Sequence, residues 1–275
     1  MENNKLRKLQ LVEFEMLKDF KKVCDLQSLS YFICSGTLLG AVRHHGSIPW
    51  DDDIDVTMPY NDYLKFLQIA QSELGERYFV QNSTTEDNFH FSFTKIRLNN
   101  TTFMDSYHKK WDIHHGIWID IFPLIECDES QLKFKKILLK VCAVCQMENL
   151  IESHQEEFDR TLGKRNLFLL NIFYKIPLSI RKKIKKKLLH IICSSSGRSN
   201  YSILWSGLTA IYPKDIFNDP IELEYESEMF KAPKNFDLYL TIEYGDYMTI
   251  PPENERPVHC DIIDFDNNYS KYMEL

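Results

Sequence analysis

At 275 residues, 44% hydrophobic and 27% charged, the chain is long enough for one large domain or two small ones and has the composition of an ordinary soluble protein. Its net charge of −7 argues against nucleic acid as the main partner, because a surface that grips a phosphate backbone tips the balance positive. A cytoplasmic chain is expected: no stretch reaches the roughly 18 consecutive apolar residues of a membrane span, residues 1–25 lack the apolar run of a secretory signal, and seven scattered cysteines suit reduced thiols.

Residues 3–27 bring Leu6, Leu9, Val12, Met16, Phe20 and Val23 near one face, the pattern of an amphipathic packing helix. Tyr31–Cys34 reads as a strand and Thr37–His44 as a short helix that opens at Ser35-Gly36-Thr37. Such a turn leaves backbone N–H groups and the positive helix end facing outward, where phosphate binds. Arg43 then reads either as a phosphate contact or as a surface arginine. His44 and His45 are adjacent, so a helix cannot aim both at one metal, and they read as loop-edge residues.

A run of four aspartates in five residues follows, Asp51, Asp52, Asp53 and Asp55. With Asp53–Met58 as a strand, Asp53 and Asp55 project together and Ile54, Val56 and Met58 project to the other side. Carboxylates so close resist ionising together. A hard divalent cation such as Mg²⁺, which takes carboxylate and phosphate oxygens, removes that cost. Pro59 then introduces a helix over Tyr60–Leu74, stopped by Gly75.

Tyr78–Val80 and Phe91–Leu98 read as further strands, and in the second Lys95 and Arg97 share a face. If that strand neighbours the aspartate strand, both cations would meet a diphosphate; otherwise they mark an exposed strand face. In Gly116–Phe122 the isoleucines 117, 119 and 121 take one face and Trp118, Asp120 and Phe122 the other, so both sides are expected to be buried, with Pro123 ending the strand. A carboxylate there is expensive without a partner, which makes Asp120 a third metal-ligand candidate.

From Glu129 to Ser196 the composition turns helical. Leu132–Met147 is apolar on one side, and its Cys142 and Cys145 read as adjacent turns of a core helix, since no second Cys or His pair completes a zinc site. Lys175–His190 carries Arg181, Lys182, Lys183, Lys185, Lys186 and Lys187 with no acid, while Ile176, Ile180, Ile184, Leu188 and Ile191 recur at helical spacing. Two readings stay open: a membrane-surface helix, or a helix that packs its apolar stripe and solvates its lysines. The remainder offers strands at Tyr201–Trp205 and Ile221–Tyr225, the segment Phe230–Pro233, a helix around Asp237–Tyr244, and a loop reading YGDYMTIPP.

Three segments, SGTLLGAVRHHGSIPWDDDIDV, GIWIDIFPL and YGDYMTIPPENERPVH, together resemble the LicD family, whose members include bacterial phosphocholine transferases and which is related to the fukutin group of ribitol-phosphate transferases. The Gly-Thr turn followed by Asp-x-Asp is similar to the nucleotidyltransferase superfamily pattern. The resemblance implies an α/β (α+β) fold: a nucleotidyltransferase-like mixed sheet with flanking helices. Residues 1–128 and 200–275 would form the catalytic core, and 129–199 a helical insertion carrying the basic amphipathic helix.

The activity implied is transfer of a phospho-alcohol, phosphocholine from CDP-choline foremost, to a hydroxyl of a cell-surface glycan or teichoic acid precursor, with release of CMP. Asp53, Asp55 and Asp120 would be catalytic and hold Mg²⁺ (or Mn²⁺). Ser35, Gly36, Thr37, Arg43, Asp52, Lys95, Arg97, Tyr244, Asp246, Arg256 and His259 would contact substrate. The partners implied are a CDP-linked alcohol donor and a glycan or lipid-linked glycan acceptor. Lys175–His190 would give a peripheral contact on the inner face of the membrane. Two alternatives are transfer of a nucleoside monophosphate by the same site and a non-catalytic membrane-surface adaptor. Trp111, Trp118 and Tyr247 offer faces for a quaternary ammonium, but no residue decides among choline, ethanolamine, glycerol and ribitol.

Overall fold

A helix whose apolar side chains form one stripe must bury that stripe, and the first helix, α1 (Asn3–Leu26), buries Leu9, Met16, Leu17 and Phe20. The structure is a computed structural model that describes residues 3–89, 91–104, 109, 111–135, 137–138, 175–193, 201–204, 211–256 and 262–273. Phe20 of α1 meets Phe66 of α3 (Tyr60–Leu74) edge to face with ring centroids 5.3 Å apart. α3 begins directly after Pro59 and ends at Gly75, whose φ of 71° suits a residue without Cβ.

Among the described residues the main sheet has seven strands and both parallel and antiparallel pairs. At its centre β2 (Asp55–Pro59) runs parallel to β6 (Trp118–Cys127), with Asp55 opposite Asp120. β1 (Phe32–Ile33) pairs antiparallel with β2 on one side. On the other side β4 (Thr94–Leu98) pairs antiparallel with β6, and β3 (Tyr78–Gln81) with β4. β7 (Tyr201–Leu204) pairs with β6 and with β8 (Ile211–Pro213). Ile119 and Ile121 of β6 are fully buried, and Trp118, Asp120 and Phe122 on its other face are nearly so. With α1, α3, α2 (Ser35–His44) and a later helix, Phe236–Tyr244, around the sheet, the class is the mixed α/β (α+β) architecture expected from the sequence.

Two small antiparallel pairs complete the description: β5 (Thr102–Met104) with β11 (Ile262–Asp264), and β9 (Ile221–Tyr225) with β10 (Glu228–Ala232). The chain divides into two compact units, Met1–Ile125 with Asn200–Leu275, and Glu126–Ser199. The described part of the second unit includes the basic helix α4 (Leu178–Cys193). No helix among the described residues is long and apolar enough to cross a membrane.

Several expected boundaries shift for identifiable reasons. β2 starts at Asp55 rather than Asp53, because pairing with β6 begins opposite Asp120. Pro123 does not end its strand: β6 continues to Cys127, with Pro123 opposite Met58. Asp120 N–H points toward β2, donating to Ile54 O, so by the period of two the missing Pro123 donor faces the other edge, past the first residue of β4. The strand expected over Phe91–Leu98 is paired only from Thr94; Phe91 and Phe93 join an aromatic cluster with Phe89 and Trp111. α4 runs from Leu178, not Lys175, and its apolar stripe is not wholly inward: Ile180 and Ile191 are exposed while Arg181 and Lys185 are buried. Trp205, most of Leu132–Met147 with Cys142 and Cys145, and His259 lie outside the described residues.

One long-range ion pair ties α1 to the β9–β10 turn. Arg7 donates through both guanidinium nitrogens to Glu226 at 2.6 Å, and Ser47 N–H donates to the same carboxylate. Arg7, working against partial burial and assisted by Ser47, holds the Glu226 carboxyl at about 2, below its ordinary 4.5. A depressed carboxyl stabilises the fold above its unfolded pKa and ceases to do so as pH falls through the folded value. Glu226→Gln should therefore lose about 1 kcal/mol at neutral pH, Arg7 being half exposed and screened. Denaturant titrations of the two proteins should converge as pH drops from 4.5 toward about 2.

Candidate active site

The chain leaves β1 through Cys34, in extended conformation, and enters α2 at Ser35 with φ 44°, a left-handed value that turns the backbone sharply at the helix mouth. Ser35 N–H donates to the hydroxyl of Tyr239, so a buried tyrosine already takes one of the first-turn donors. At Gly36 an added Cβ would stand 2.6 Å from Asp51 Oδ2; glycine lets that carboxylate lie over the turn. Thr37 Oγ1 accepts Asp55 N–H at 2.8 Å, and Asp55 O accepts Cys34 N–H at 3.1 Å. The phosphate-type turn and the acidic strand are thus fastened directly to one another.

Asp53, Asp55 and Asp120 each bring one carboxylate oxygen within 4.8 Å of the other two. Lys95, one strand over on β4, reaches both Asp120 oxygens at 2.6 and 2.8 Å, and both side chains are buried. Lys95 therefore supplies the partner that a carboxylate in a buried strand needs. Burial first, then Asp53, Asp120 and Asp51, pushes the Asp55 carboxyl well up, with Lys95 opposing. Burial pushes the Lys95 ammonium down, opposed by Asp120. With all three acids ionised beside one ammonium, two negative charges remain, which matches the charge and oxygen preference of a divalent ion.

Behind this group lies Glu13 of α1, fully buried, its carboxyl pushed well up by burial and then by Asp53, Asp52, Asp51 and Asp120. Helical spacing alone marked it: four residues after Leu9 and three before Met16, Glu13 falls within the apolar stripe of α1.

The acids form part of the wall of a cleft of about 730 Å³. Of the residues expected from the sequence, Ser35, Gly36, Arg43, Asp53, Asp55, Asp120, Tyr244 and Asp246 line it. Thr37 and Asp52 are buried and do not. Lys95 acts on Asp120 rather than facing the cleft. Arg97 is committed elsewhere, donating to Gln81 Oε1 at 2.7 Å and Gly116 O at 2.9 Å, with its guanidinium 4.6 Å from the Trp118 ring centroid. The expected joint grip of Lys95 and Arg97 on a diphosphate is therefore corrected: the strand period places them on one face, but that face is packed.

Arg43 lines the cleft and Arg256 does not, although it touches Trp50 and Pro251, which do. Arg43 donates to Tyr247 O at 2.6 Å and to His44 Nε2 at 2.9 Å. Arg256 donates to Pro251 O and lies 4.3 Å from the Trp50 ring centroid. His45 closes α2 in a left-handed conformation, and neither His44 nor His45 belongs to the acid group.

Sequence reasoning missed Trp50, Asp51, Phe93, Phe122 and Glu243 as cleft residues. Two were within reach of the period-two argument: Phe122 shares a face with Asp120, Phe93 shares one with Lys95, and their rings meet 4.8 Å apart. Asp51 carried no such signal, because three consecutive aspartates do not reveal which ones face the cleft. Of the aromatics considered for a quaternary ammonium, Tyr247 lines the cleft and Trp111 and Trp118 do not.

Comparison with known proteins agrees with this arrangement of motifs. A family profile described as LicD/FKTN/FKRP, nucleotidyltransferase domain, matches residues 28–140, a span that contains all three clustered acids. Lipopolysaccharide cholinephosphotransferase LicD of Haemophilus influenzae is 30% identical over 269 residues, 92% of this chain and 95% of that protein. Ribitol 5-phosphate transferase FKRP of Homo sapiens is 28% identical over 116 residues, 40% of this chain and 23% of that protein. Similarity that runs almost end to end with one relative, together with a family profile that spans the three clustered acids, shows that the chain belongs to the LicD family.

Proposed function

We propose that the protein is a phosphotransferase that moves a phospho-alcohol, phosphocholine first among the candidates, from a CDP-linked donor to a hydroxyl of a lipopolysaccharide-type or teichoic-acid-type glycan precursor, releasing CMP. The observation that carries the proposal is the convergence of Asp53, Asp55 and Asp120 within 4.8 Å, with two charges left over after Lys95. These three carboxylates would hold Mg²⁺ or Mn²⁺. When bound, such an ion offsets phosphate charge and aligns an in-line displacement.

The protein's own groups take the remaining tasks. Lys95 keeps the Asp120 carboxylate oriented, with both its oxygens engaged. Asp51, in the cleft wall above the Gly36 turn, would accept the proton of the attacking hydroxyl. The acceptor oxygen bonds to the phosphorus that carries the alcohol, the bond from that phosphorus to the bridging oxygen breaks, and CMP departs with the bridging oxygen. Choline or ethanolamine is favoured over glycerol or ribitol by the rest of the cleft lining, in which Phe93, Tyr244 and Tyr247 accompany Glu243 and Asp246. Aromatic faces with nearby carboxylates suit a cationic alcohol.

Titration calorimetry with Mn²⁺ should detect uptake by the wild type and none by Asp53→Ala, whose turnover should fall about a thousandfold. A transfer product heavier than the acceptor by phosphocholine is the expected mass-spectrometric result, whereas a gain of CMP would replace this reaction with nucleotidyl transfer. Asp51→Asn should keep Mn²⁺ affinity and lose about a hundredfold or more in kcat; loss of both together would move Asp51 into the metal-holding group. Lys95→Met removes one partner of a buried pair and should cost about 3 kcal/mol in stability. Added Mn²⁺ should recover part of it in thermal melts, since it restores positive charge beside Asp120.

A further inference from the structure

Helix α4 presents a face that the proposed chemistry does not use. Lys183, Lys186, Lys187 and His190 are exposed along one side, and Ile180 and Ile191, 47% and 36% exposed, stand at its edge. The two isoleucines are eleven residues apart, about three helical turns, so they fall on the same side. The inward side of the helix instead takes Arg181, Lys185 and Ile192. A helix that merely packed its apolar stripe and solvated its lysines would turn Ile180 and Ile191 inward; this one shows them to solvent beside a row of ammonium groups.

We propose that this face of α4 docks on an anionic lipid bilayer, with Lys183, Lys186 and Lys187 at the headgroups and Ile180 and Ile191 entering the interface. Charge decides the occupant. Leu178–Cys193 contains no acidic residue, so two copies of the face would repel rather than pair. A nucleic acid backbone would answer the lysines but offers nothing to the exposed Ile180 and Ile191. A bilayer surface answers both halves of the pattern, since basic residues gain from anionic headgroups and exposed aliphatic side chains gain from the acyl boundary. The inference stands apart from the phosphotransfer reading, because it uses none of the cleft residues.

The test is vesicle sedimentation of the full chain with phosphatidylcholine alone and with phosphatidylcholine and phosphatidylglycerol at roughly a 7:3 ratio. The wild type should bind only the anionic vesicles and release as salt rises. Lys183→Gln, Lys186→Gln and Lys187→Gln together should weaken that binding about a hundredfold, and Ile180→Ser with Ile191→Ser should weaken it without changing its salt dependence. Circular dichroism melts matching the wild type would show the variants folded. Wild-type indifference to anionic vesicles, or unchanged binding by the triple variant, would overturn the proposal, as would concentration-dependent self-association abolished by those same substitutions. Turnover on a short soluble acceptor should be equal in all these proteins, so failure of the membrane contact and failure of the catalytic reading give different results.

Discussion

Like charges forced together by strand pairing are the constraint from which the rest of the first unit follows. β2 and β6 run parallel with Asp55 opposite Asp120, and Asp53 stands just upstream, so backbone hydrogen bonding itself drives three carboxyls into one place. Such an arrangement is destabilising unless neighbouring groups compensate. Lys95 does so from β4, across a ladder that places it opposite Asp120. Burial would otherwise make a charged lysine and a charged aspartate expensive; paired at 2.6 Å they satisfy each other. The sheet order β2-β6-β4 is therefore also the order acid, acid, base.

The surroundings are built to keep that arrangement in register. Thr37 clips the helix turn to Asp55, Ile54 accepts Asp120 N–H, and Gly36 leaves space for Asp51. Gln10 of α1 donates to Ile48 O and Asp51 O, so the loop between α2 and β2 is held from behind as well. Arg43 and Arg256 secure the backbone at Tyr247 and Pro251. Both were expected among the substrate contacts, and in this structure both are bonded to the backbone of a loop. Arg43 lines the cleft as well, whereas Arg256 stands behind Trp50 and Pro251, which do.

Much of the fold was legible because its signals were local. α3 falls at the expected Tyr60–Leu74, since Pro59 and Gly75 delimit it by backbone geometry alone. The alternation of residues 117–122 exposed a strand buried on both faces and pointed to Asp120. Less legible was the β9–β10 turn, where Glu226 and Ser227 adopt positive φ without the Gly or Asn such turns prefer. Its stability comes from outside the hairpin: Glu226 N–H donates to His45 O, and Arg7 and Ser47 bind its carboxylate. No pattern within residues 221–232 contains those partners.

The chain's own order of residues determined which acids could act together, where the helix mouth lies beside them and which family pattern they follow, because each depends on spacing along one strand or turn. Tertiary structure decided which charges were spoken for. Lys95 and Arg97 share a strand face, yet one neutralises Asp120 and the other bridges Gln81 and Gly116. Asp51 and Asp52 are neighbours, yet only the first lines the cleft. Strand period fixes the side on which a residue projects; only the packing of distant segments determines what it meets there.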